Sequence, residues 1–352
     1  FGVILLLGGP QYATLEVEIY YQTISLFNLP LAAILALVQL VFTLALTVAY
    51  TRMSNRLARP LSLRPRAHAQ QRLRSWRARV LAGLYLTGLL ILILAPLVAL
   101  VTRSFVSLAP DARSGVELTR GFTLDFYREL SVNRRQSIFF VPPLSAIRFS
   151  LTYAAGTVLI ALGVGLPAAW SLARNPERPL ERVFDPILML PLGTSAVTLG
   201  LGFIIALSRP PLDLRTSPLL IPFAHALVAF PFVVRSLTPA LRSIQPRLRE
   251  AAMVMGATPI QVWRYVDLPL VGRAVLVAAA FGFMISMGEF GATALIARPE
   301  YPTIPTAIYR LISQPGALNY GQALALSAIL MVVTTVGMLA IERFRIADIG
   351  EF

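Results

Sequence analysis

The segment Glu250–Pro269, EAAMVMGATPIQVWRYVDLP, is polar and amphipathic and lies between two long apolar runs. The pattern predicts a short helix over Arg247–Met255, which Gly256 ends in the left-handed conformation that glycine adopts at little cost. Thr258–Gln261 then supplies an N-cap threonine, a proline at the first helical position and the glutamine of a capping box. We expect the second helix to end at Pro269, so that two capped helices form a rigid projection.

The rest of the chain has the composition of a membrane protein. Of its 352 residues 56% are apolar, and the mean hydropathy is +0.70. Apolar runs of about 20 residues recur, and that length of helix covers the roughly 30 Å of hydrocarbon in a bilayer. A soluble helical protein would show shorter runs and more charge between them. We therefore predict an all-α polytopic membrane protein. Its predicted spans are Leu31–Tyr50, Val80–Leu100, Ser150–Leu172, Phe184–Leu207, Leu219–Leu237, Ala274–Ala297 and Tyr320–Ile341.

Missing residue types exclude several functions. The chain has no lysine, so it has neither a phosphate-binding loop lysine nor a Schiff-base lysine. It has no cysteine, and only His68 and His225 as histidines, which disfavours a metal site. We expect no catalytic residue, no metal and no cofactor.

Arginines predict the orientation. Residues 51–79 contain nine arginines and no acidic residue, which is typical of a cytoplasmic loop. Counting spans from that loop also places the segment that begins at Glu250 in the cytoplasm. The net charge of +14 fits this topology in a cell membrane, with lipid as surroundings, better than it fits a nucleic-acid surface.

The chain contains an internal repeat. Residues 1–20 and 290–309, shifted by 289 positions, agree at eight positions that include Phe1/Phe290, Thr14/Thr303 and Tyr20/Tyr309. We expect residues 1–50 to be the C-terminal end of a first homologous half whose N-terminal part is missing. Residues 51–79 would then be an arginine-rich cytoplasmic linker, 80–346 a second domain with its projecting loop at 242–272, and 347–352 a tail.

The projecting loop resembles the cytoplasmic loop of ATP-binding-cassette importer permeases, E-A-A, three residues, G, nine residues, I-x-L-P. The only departure is Val266 in place of isoleucine, and the resemblance extends to the six spans from Val80 to Ile341. It implies a type I importer permease fold, a separate cytoplasmic ATPase dimer that binds this loop, and an extracytoplasmic substrate-binding protein. The implied docking residues are Glu250, Ala251, Ala252, Gly256, Trp263, Leu268 and Pro269.

The substrate is predicted from resemblances to particular importer permeases. Two fused halves resemble the thiamine and ferric-iron importers, and the run Ser286–Ser313 is closer to thiamine permeases, although similar G-E-F-G-A runs occur in sulfate and molybdate permeases. We therefore expect thiamine or a related cation first, ferric iron second and an oxyanion third. The alternative from another class is a secondary transporter or channel with no ATPase, which would leave the projecting loop without a role.

Glu289 is a candidate pathway residue, together with its neighbours Gly288 and Phe290. A carboxylate within an apolar span is costly, so it either faces the translocation pathway or is a hydrogen-bonded packing residue. If Glu289 faces the pathway, its charge would favour a cation. We expect His225 to form hydrogen bonds between helices, and Trp170 to anchor its helix at the membrane surface.

Overall fold

The structure is a computed structural model that describes residues 1–57, 75–107, 121–132, 141–174, 188, 190–207, 213–214 and 217–347. Most of the predicted linker and the tail after residue 347 lie outside the described residues. The described helices, in chain order, are α1 Gly2–Leu7, α2 Leu15–Ile24, α3 Leu29–Leu57, α4 Trp76–Ser104, α5 Asp125–Arg128, α6 Ser145–Arg174, α7 Leu190–Gly193, α8 Ala196–Ala206, α9 Leu220–Arg242, α10 Pro246–Val254, α11 Pro259–Val262, α12 Leu268–Gly288, α13 Gly291–Ile296, α14 Ile304–Ile312 and α15 Ala317–Ala347. Two short strands, β1 Val106–Ser107 and β2 Gly121–Phe122, pair antiparallel.

Six of these helical stretches are long and apolar enough to cross a membrane, which confirms the all-α polytopic class. They are Leu29–Ala49, Trp76–Ser104, Ser145–Ala173, Leu220–Arg242, Pro259–Gly288 and Ala317–Arg343. Five of the seven predicted spans are therefore continuous helices, and the other two are interrupted.

The two interrupted spans were wrongly predicted as continuous. In the first, α7 ends at Gly193 and α8 starts anew after Ser195, whose side chain accepts the N–H of Val197 as an N-cap. In the second, α12 ends at Gly288, Glu289 is extended at φ −71° and ψ 122°, and α13 follows. The hydropathy of a sequence segment depends on its residue types alone, so it is the same for a continuous helix and for a helix with a break. Such a break is tolerated in the membrane when polar side chains hydrogen-bond the freed backbone groups.

The helix α9 lies at the centre of the bundle. It packs against α6 and α12, and more than half of its residues are buried. The helix α4, by contrast, buries none of its apolar stretch and touches the bundle mainly through α15. An apolar helix in this position is suited to lipid contact.

The predicted repeat has the same helices in both copies. The helices α1, α2 and α3 correspond in order to α13, α14 and α15, and α1 and α13 both have six residues. Thr14 and Thr303 precede the corresponding helices α2 and α14. Residues 1–57, the N-terminal segment, pack into the same apolar core as α8, α9 and α13, through residues that include Ile19 and Tyr20.

Close helix packing explains some of the membrane glycines. A Cβ atom at Gly200 would lie 3.0 Å from the Cα and carbonyl oxygen of Ala292, so α8 and α13 approach each other backbone to backbone. A Cβ atom at Gly165 would meet Val233 at 2.6 Å. Gly202, in the same helix as Gly200, has nothing within 4 Å of the corresponding position.

We predict that Gly200→Val lowers the thermal stability of the detergent-solubilised protein, by about 1–3 kcal/mol of unfolding free energy, because backbone atoms cannot move aside as a side chain can. Gly202→Val is the matched control, since it makes the same change of helix propensity where there is open space. Thermal unfolding followed by loss of the monodisperse chromatographic peak measures both. Equal melting temperatures for the two variants would contradict the close approach of α8 and α13.

Candidate docking loop and membrane cavity

The first helix of the 242–272 loop ends as the sequence predicts. It runs over Pro246–Val254, and Gly256 has a φ of +89°, in the left-handed region. The Gly256 N–H donates to the Met253 carbonyl at 3.0 Å, and the Ala257 N–H donates to the Ala252 carbonyl at 3.0 Å. These two bonds form a Schellman motif, which satisfies carbonyls that the end of a helix would otherwise leave unpaired.

The second helix of the loop starts as predicted. The Thr258 N–H donates to the Gln261 side-chain oxygen at 2.7 Å, and the Gln261 N–H donates to the Thr258 hydroxyl at 3.4 Å. This is the predicted capping box, with Pro259 at the first helical position. Local residue types are sufficient to build the turn between α10 and α11.

The expectation that the second helix ends at Pro269 is wrong. Residues Trp263–Asp267 form one turn of π-helix, and the Leu268 N–H bonds to the Trp263 carbonyl, five residues earlier. Pro269 then lies in the first turn of α12, directly after the π turn. The helical stretch is therefore continuous from Pro259 to Gly288, which joins the loop rigidly to a membrane span.

A buried ion pair attaches the loop to the bundle. The Asp267 side chain is 2% exposed, and its Oδ1 accepts the Arg249 Nε–H at 2.7 Å. The other oxygen of Asp267 accepts the Trp170 indole N–H at 3.1 Å. Arg249 also donates to the Leu241 carbonyl at 3.3 Å. One carboxylate thus connects α10, α6 and the start of α12.

The sequence analysis did not identify this cluster. Asp267 occupies the variable position of the I-x-L-P run, and the two other members are 18 and 97 positions away along the chain. Trp170 is bonded to a buried carboxylate, which differs from the surface anchor expected for it. The one available signal was an acidic residue directly before an apolar span.

The outer surface of the loop is apolar. Val254, Met255, Ile260 and Tyr265 are 88%, 83%, 76% and 70% exposed. Of the predicted docking residues, Glu250, Ala251, Gly256 and Pro269 are exposed, Trp263 and Leu268 are partly buried, and Ala252 packs inward. Large apolar side chains grouped at the tip of a rigid projection are typical of a protein–protein contact.

A cavity of about 530 Å³ lies among the membrane helices. One wall consists of Gly288, Glu289 and Phe290, so the structure brings the three predicted pathway residues to one cavity. Opposite walls come from α8, from α9 and from the N-terminal segment. The residues they contribute are Ser195, Ala196 and Val197 from the start of α8, Val228 from α9, and Phe1, Gly2 and Glu16 from the N-terminal segment.

Both oxygens of Glu289 are bonded within the protein. Oε1 accepts the Ala292 N–H at 2.9 Å, and Oε2 accepts the Thr293 N–H at 3.1 Å and the Thr293 hydroxyl at 2.6 Å. The His225 Nε2 atom lies 3.3 Å from Oε2. His225 thus bonds between helices, as predicted, and it is the residue that pairs with Glu289.

Equivalent residues of the repeat meet beside the cavity. The Phe1 ring stacks on the Phe290 ring with centroids 5.6 Å apart, and the side chain of Tyr20 hydrogen-bonds that of Tyr309. Phe1 also packs on Tyr20 at 5.6 Å, as Phe290 packs on Tyr309 at 5.3 Å. These contacts between equivalent positions of the repeat lie beside the cavity, because Phe1 and Phe290 also line it.

Comparison with known proteins identifies a protein family that this chain matches. Residues 161–345 match the family described as "Binding-protein-dependent transport system inner membrane component". The chain is 30% identical over 198 residues to the "Putative 2-aminoethylphosphonate transport system permease protein PhnV" of Salmonella typhimurium, covering 56% of this chain and 73% of that protein. It is 33% identical over 202 residues to the "Molybdenum transport system permease protein ModB" of Haemophilus influenzae, covering 53% and 88%.

Two further similarities extend these findings. The "Probable sulfate transport system permease protein cysT" of Anthoceros angustus is 28% identical over 225 residues, covering 58% of this chain and 75% of that protein. Among solved structures, the fold is similar to that of a bacterial ABC transporter involved in the import of the acidic polysaccharide alginate. The match covers 77% of this chain and 96% of the transporter chain, with a TM-score of 0.59 and 20% identity. At that identity the structural match supports the fold alone.

We predict that Arg249→Met destabilises the loop, by about 3 kcal/mol, because it leaves the Asp267 carboxylate buried with one fewer partner. The matched control is Arg247→Met, an exposed arginine on the same helix. Limited trypsin digestion at Arg264, together with the melting temperature, reports the change. Identical cleavage rates at Arg264 in the two variants would show that the ion pair does not hold the loop.

Proposed function

Because the chain belongs to the family of binding-protein-dependent transport system inner membrane components, we propose that it carries a small solute inward in response to an ATPase that binds the 242–272 loop. The chain is a multi-pass inner-membrane protein and a permease subunit of an ABC importer. This identity removes the alternative of a secondary transporter or channel. The ATPase, the binding protein and the solute are the parts that we propose.

The observation that carries the ATPase proposal is the construction of the loop. Its tip exposes Val254, Met255 and Ile260 beside Glu250, and its base is one continuous helix with α12. A partner that grips the tip would therefore move a membrane span directly, because the π turn leaves no flexible joint between them. The Asp267 ion pair extends the same movement to α6.

The repeat suggests the number of ATPase subunits. We propose that residues 1–57 are the end of a first homologous half, since their helices repeat those of residues 290–347. A complete first half would carry its own docking loop. Two loops, one from each half, would then bind an ATPase dimer on the cytoplasmic side. A substrate-binding protein would deliver the solute from the opposite side, in keeping with the family's description.

We propose that the solute is a small oxyanion or phosphonate. The named relatives transport 2-aminoethylphosphonate, molybdenum and sulfate according to their descriptions, and none of these three is described as a thiamine or iron permease. The cation prediction relied on a Glu289 charge facing the pathway. Both of its oxygens accept hydrogen bonds from Ala292 and Thr293, and its side chain is only 4% exposed, so this arrangement leaves no free carboxylate oxygen to bind a cation. Glu16, the other acidic residue on the cavity wall, accepts a hydrogen bond from Gln39 at 3.2 Å.

We predict that Gly256→Val abolishes coupling to the ATPase. A β-branched residue at a φ of +89° costs of order 1–3 kcal/mol, so the turn between α10 and α11 would rearrange. Gly272→Val is the matched control, because Gly272 has ordinary backbone angles and open space around it. Substrate-stimulated ATP hydrolysis by the assembled transporter should vanish in Gly256→Val and persist in Gly272→Val.

Charge reversal at the tip provides a second variant. Glu250→Lys changes an exposed side chain with no effect on the fold, and it should reduce ATPase copurification and hydrolysis together. If both Gly256→Val and Glu250→Lys kept normal ATPase stimulation, the loop would have no docking role.

We predict that the assembled transporter hydrolyses ATP faster, at least severalfold, with sulfate, molybdate or a phosphonate than with thiamine or ferric iron. The measurement uses the full-length permease with its ATPase and binding protein in liposomes, with each solute offered alone and then in competition. Stimulation by thiamine or ferric iron, with no response to any of the anions, would overturn the oxyanion proposal and restore the cation prediction.

A further inference from the structure

A closed polar cluster lies inside the apolar bundle, next to the cavity. His225, on α9, is fully buried, and its Nδ1 atom lies 2.8 Å from the Ser286 hydroxyl on α12. Its Nε2 atom lies 2.7 Å from the Thr293 hydroxyl on α13. The Thr157 hydroxyl on α6 donates to the Ser286 hydroxyl at 3.1 Å. Three helices thus meet at one imidazole, and a fourth is joined to it through Ser286, in a region where unsatisfied polar groups are costly.

The hydrogen bonds have a direction that ends at Glu289. A hydroxyl has one proton to donate, and the shortest contact of Thr293 is the 2.6 Å bond to Glu289 Oε2. Thr293 therefore accepts from His225 Nε2, which lies 2.7 Å away. Together with two backbone N–H groups, these donors surround the carboxylate and suit its charged form. In this series of hydrogen bonds His225 lies on α9, whereas Thr293 and Glu289 belong to the segment around the start of α13.

The position of the carboxylate matters because of the cavity. Glu289 forms part of the cavity wall, yet its side chain is only 4% exposed. Gly288, directly before it, is exposed, so no side chain stands between that stretch of backbone and the cavity. A unit negative charge that turned toward the cavity would act on any ionic solute there at short range and in a low-dielectric setting.

We propose that His225 is a specificity-determining positioning residue: through Thr293 it keeps the Glu289 carboxylate in the wall, so that the cavity does not present this negative charge to a passing anion. When the imidazole is absent, the carboxylate loses its connection to α9, and the three hydrogen bonds that remain come from Ala292 and Thr293 of its own segment, which can turn with it toward water in the cavity. The path then becomes unfavourable for anions. This inference deepens the proposed function and depends on the cavity being the translocation path.

The test measures the charge of the cavity without using a substrate. The chain has no cysteine, so Val228→Cys, on the cavity wall, is a unique reporter. Its rates of modification by a cationic reagent, trimethylammonioethyl methanethiosulfonate, and by an anionic one, sulfonatoethyl methanethiosulfonate, are compared in the full-length transporter. The ratio of the two rates follows the local potential and is insensitive to changes in overall accessibility.

Matched variants separate charge from packing. His225→Asn places its amide near Nδ1 and cannot reach Thr293, whereas His225→Gln is one bond longer and keeps a donor near the Nε2 position. We expect His225→Asn to raise the ratio of cationic to anionic rates about tenfold, and His225→Gln to leave it near the unsubstituted value. Adding Glu289→Gln to His225→Asn should return the ratio to that value. A purely structural role for His225 would not be reversed by a second substitution.

Several results would overturn the proposal. A tenfold fall in the ratio with Glu289→Gln alone would mean that the carboxylate already faces the cavity, and this variant decides the matter even if the histidine variants fail to fold. No modification of Val228→Cys by either reagent would mean that the cavity is closed to water. An unchanged ratio in a folded His225→Asn would remove the positioning role. None of these depends on which solute is carried, so the oxyanion proposal stands or falls separately in the measurement of solute-stimulated ATP hydrolysis.

Discussion

The arrangement around the cavity depends on the hydrogen bonds of one carboxylate. An apolar run that could have crossed the membrane as a single helix ends at Gly288 and restarts at Gly291, which frees backbone N–H groups in the interior. Glu289 accepts two of these N–H groups and the Thr293 hydroxyl, so the break leaves them satisfied. Without such a partner each group would cost several kcal/mol in a lipid-like setting. The break in turn allows α13 to pack against α8 and to form the side of the cavity.

A second buried carboxylate plays the corresponding part at the other end of α12. Asp267 joins the loop to α6 through Trp170 and to α10 through Arg249, while the π turn lets Pro269 enter the helix. One helix therefore connects an exposed apolar tip, at Val254 and Met255, with the break beside the cavity. π turns within helices are frequently found at functional sites, and here the turn places Asp267 toward the bundle. A movement at the tip has a continuous and rigid route to the cavity wall.

The repeat explains why the N-terminal segment belongs to the same core. Phe1 meets Phe290 and Tyr20 meets Tyr309, so the contact joins equivalent positions of the sequence repeat. The N-terminal segment is also connected by polar bonds, since Gln39 accepts from the Thr198 hydroxyl at 2.8 Å and donates to Glu16.

The sequence alone determined the features that depend on neighbouring residues. Run length and composition placed the spans, the Thr258–Gln261 box and Gly256 built the loop, and an offset of 289 residues revealed the repeat. The tertiary structure alone decided the partners of charged groups. Glu289 faces His225, 64 positions away, and Asp267 faces Trp170, 97 positions away. Hydropathy does not include hydrogen-bond partners that are far away in the sequence. An interrupted helix and a continuous helix therefore have the same hydropathy pattern. The same physical limit left the hydrogen-bond partners of Glu289 open until the structure showed them.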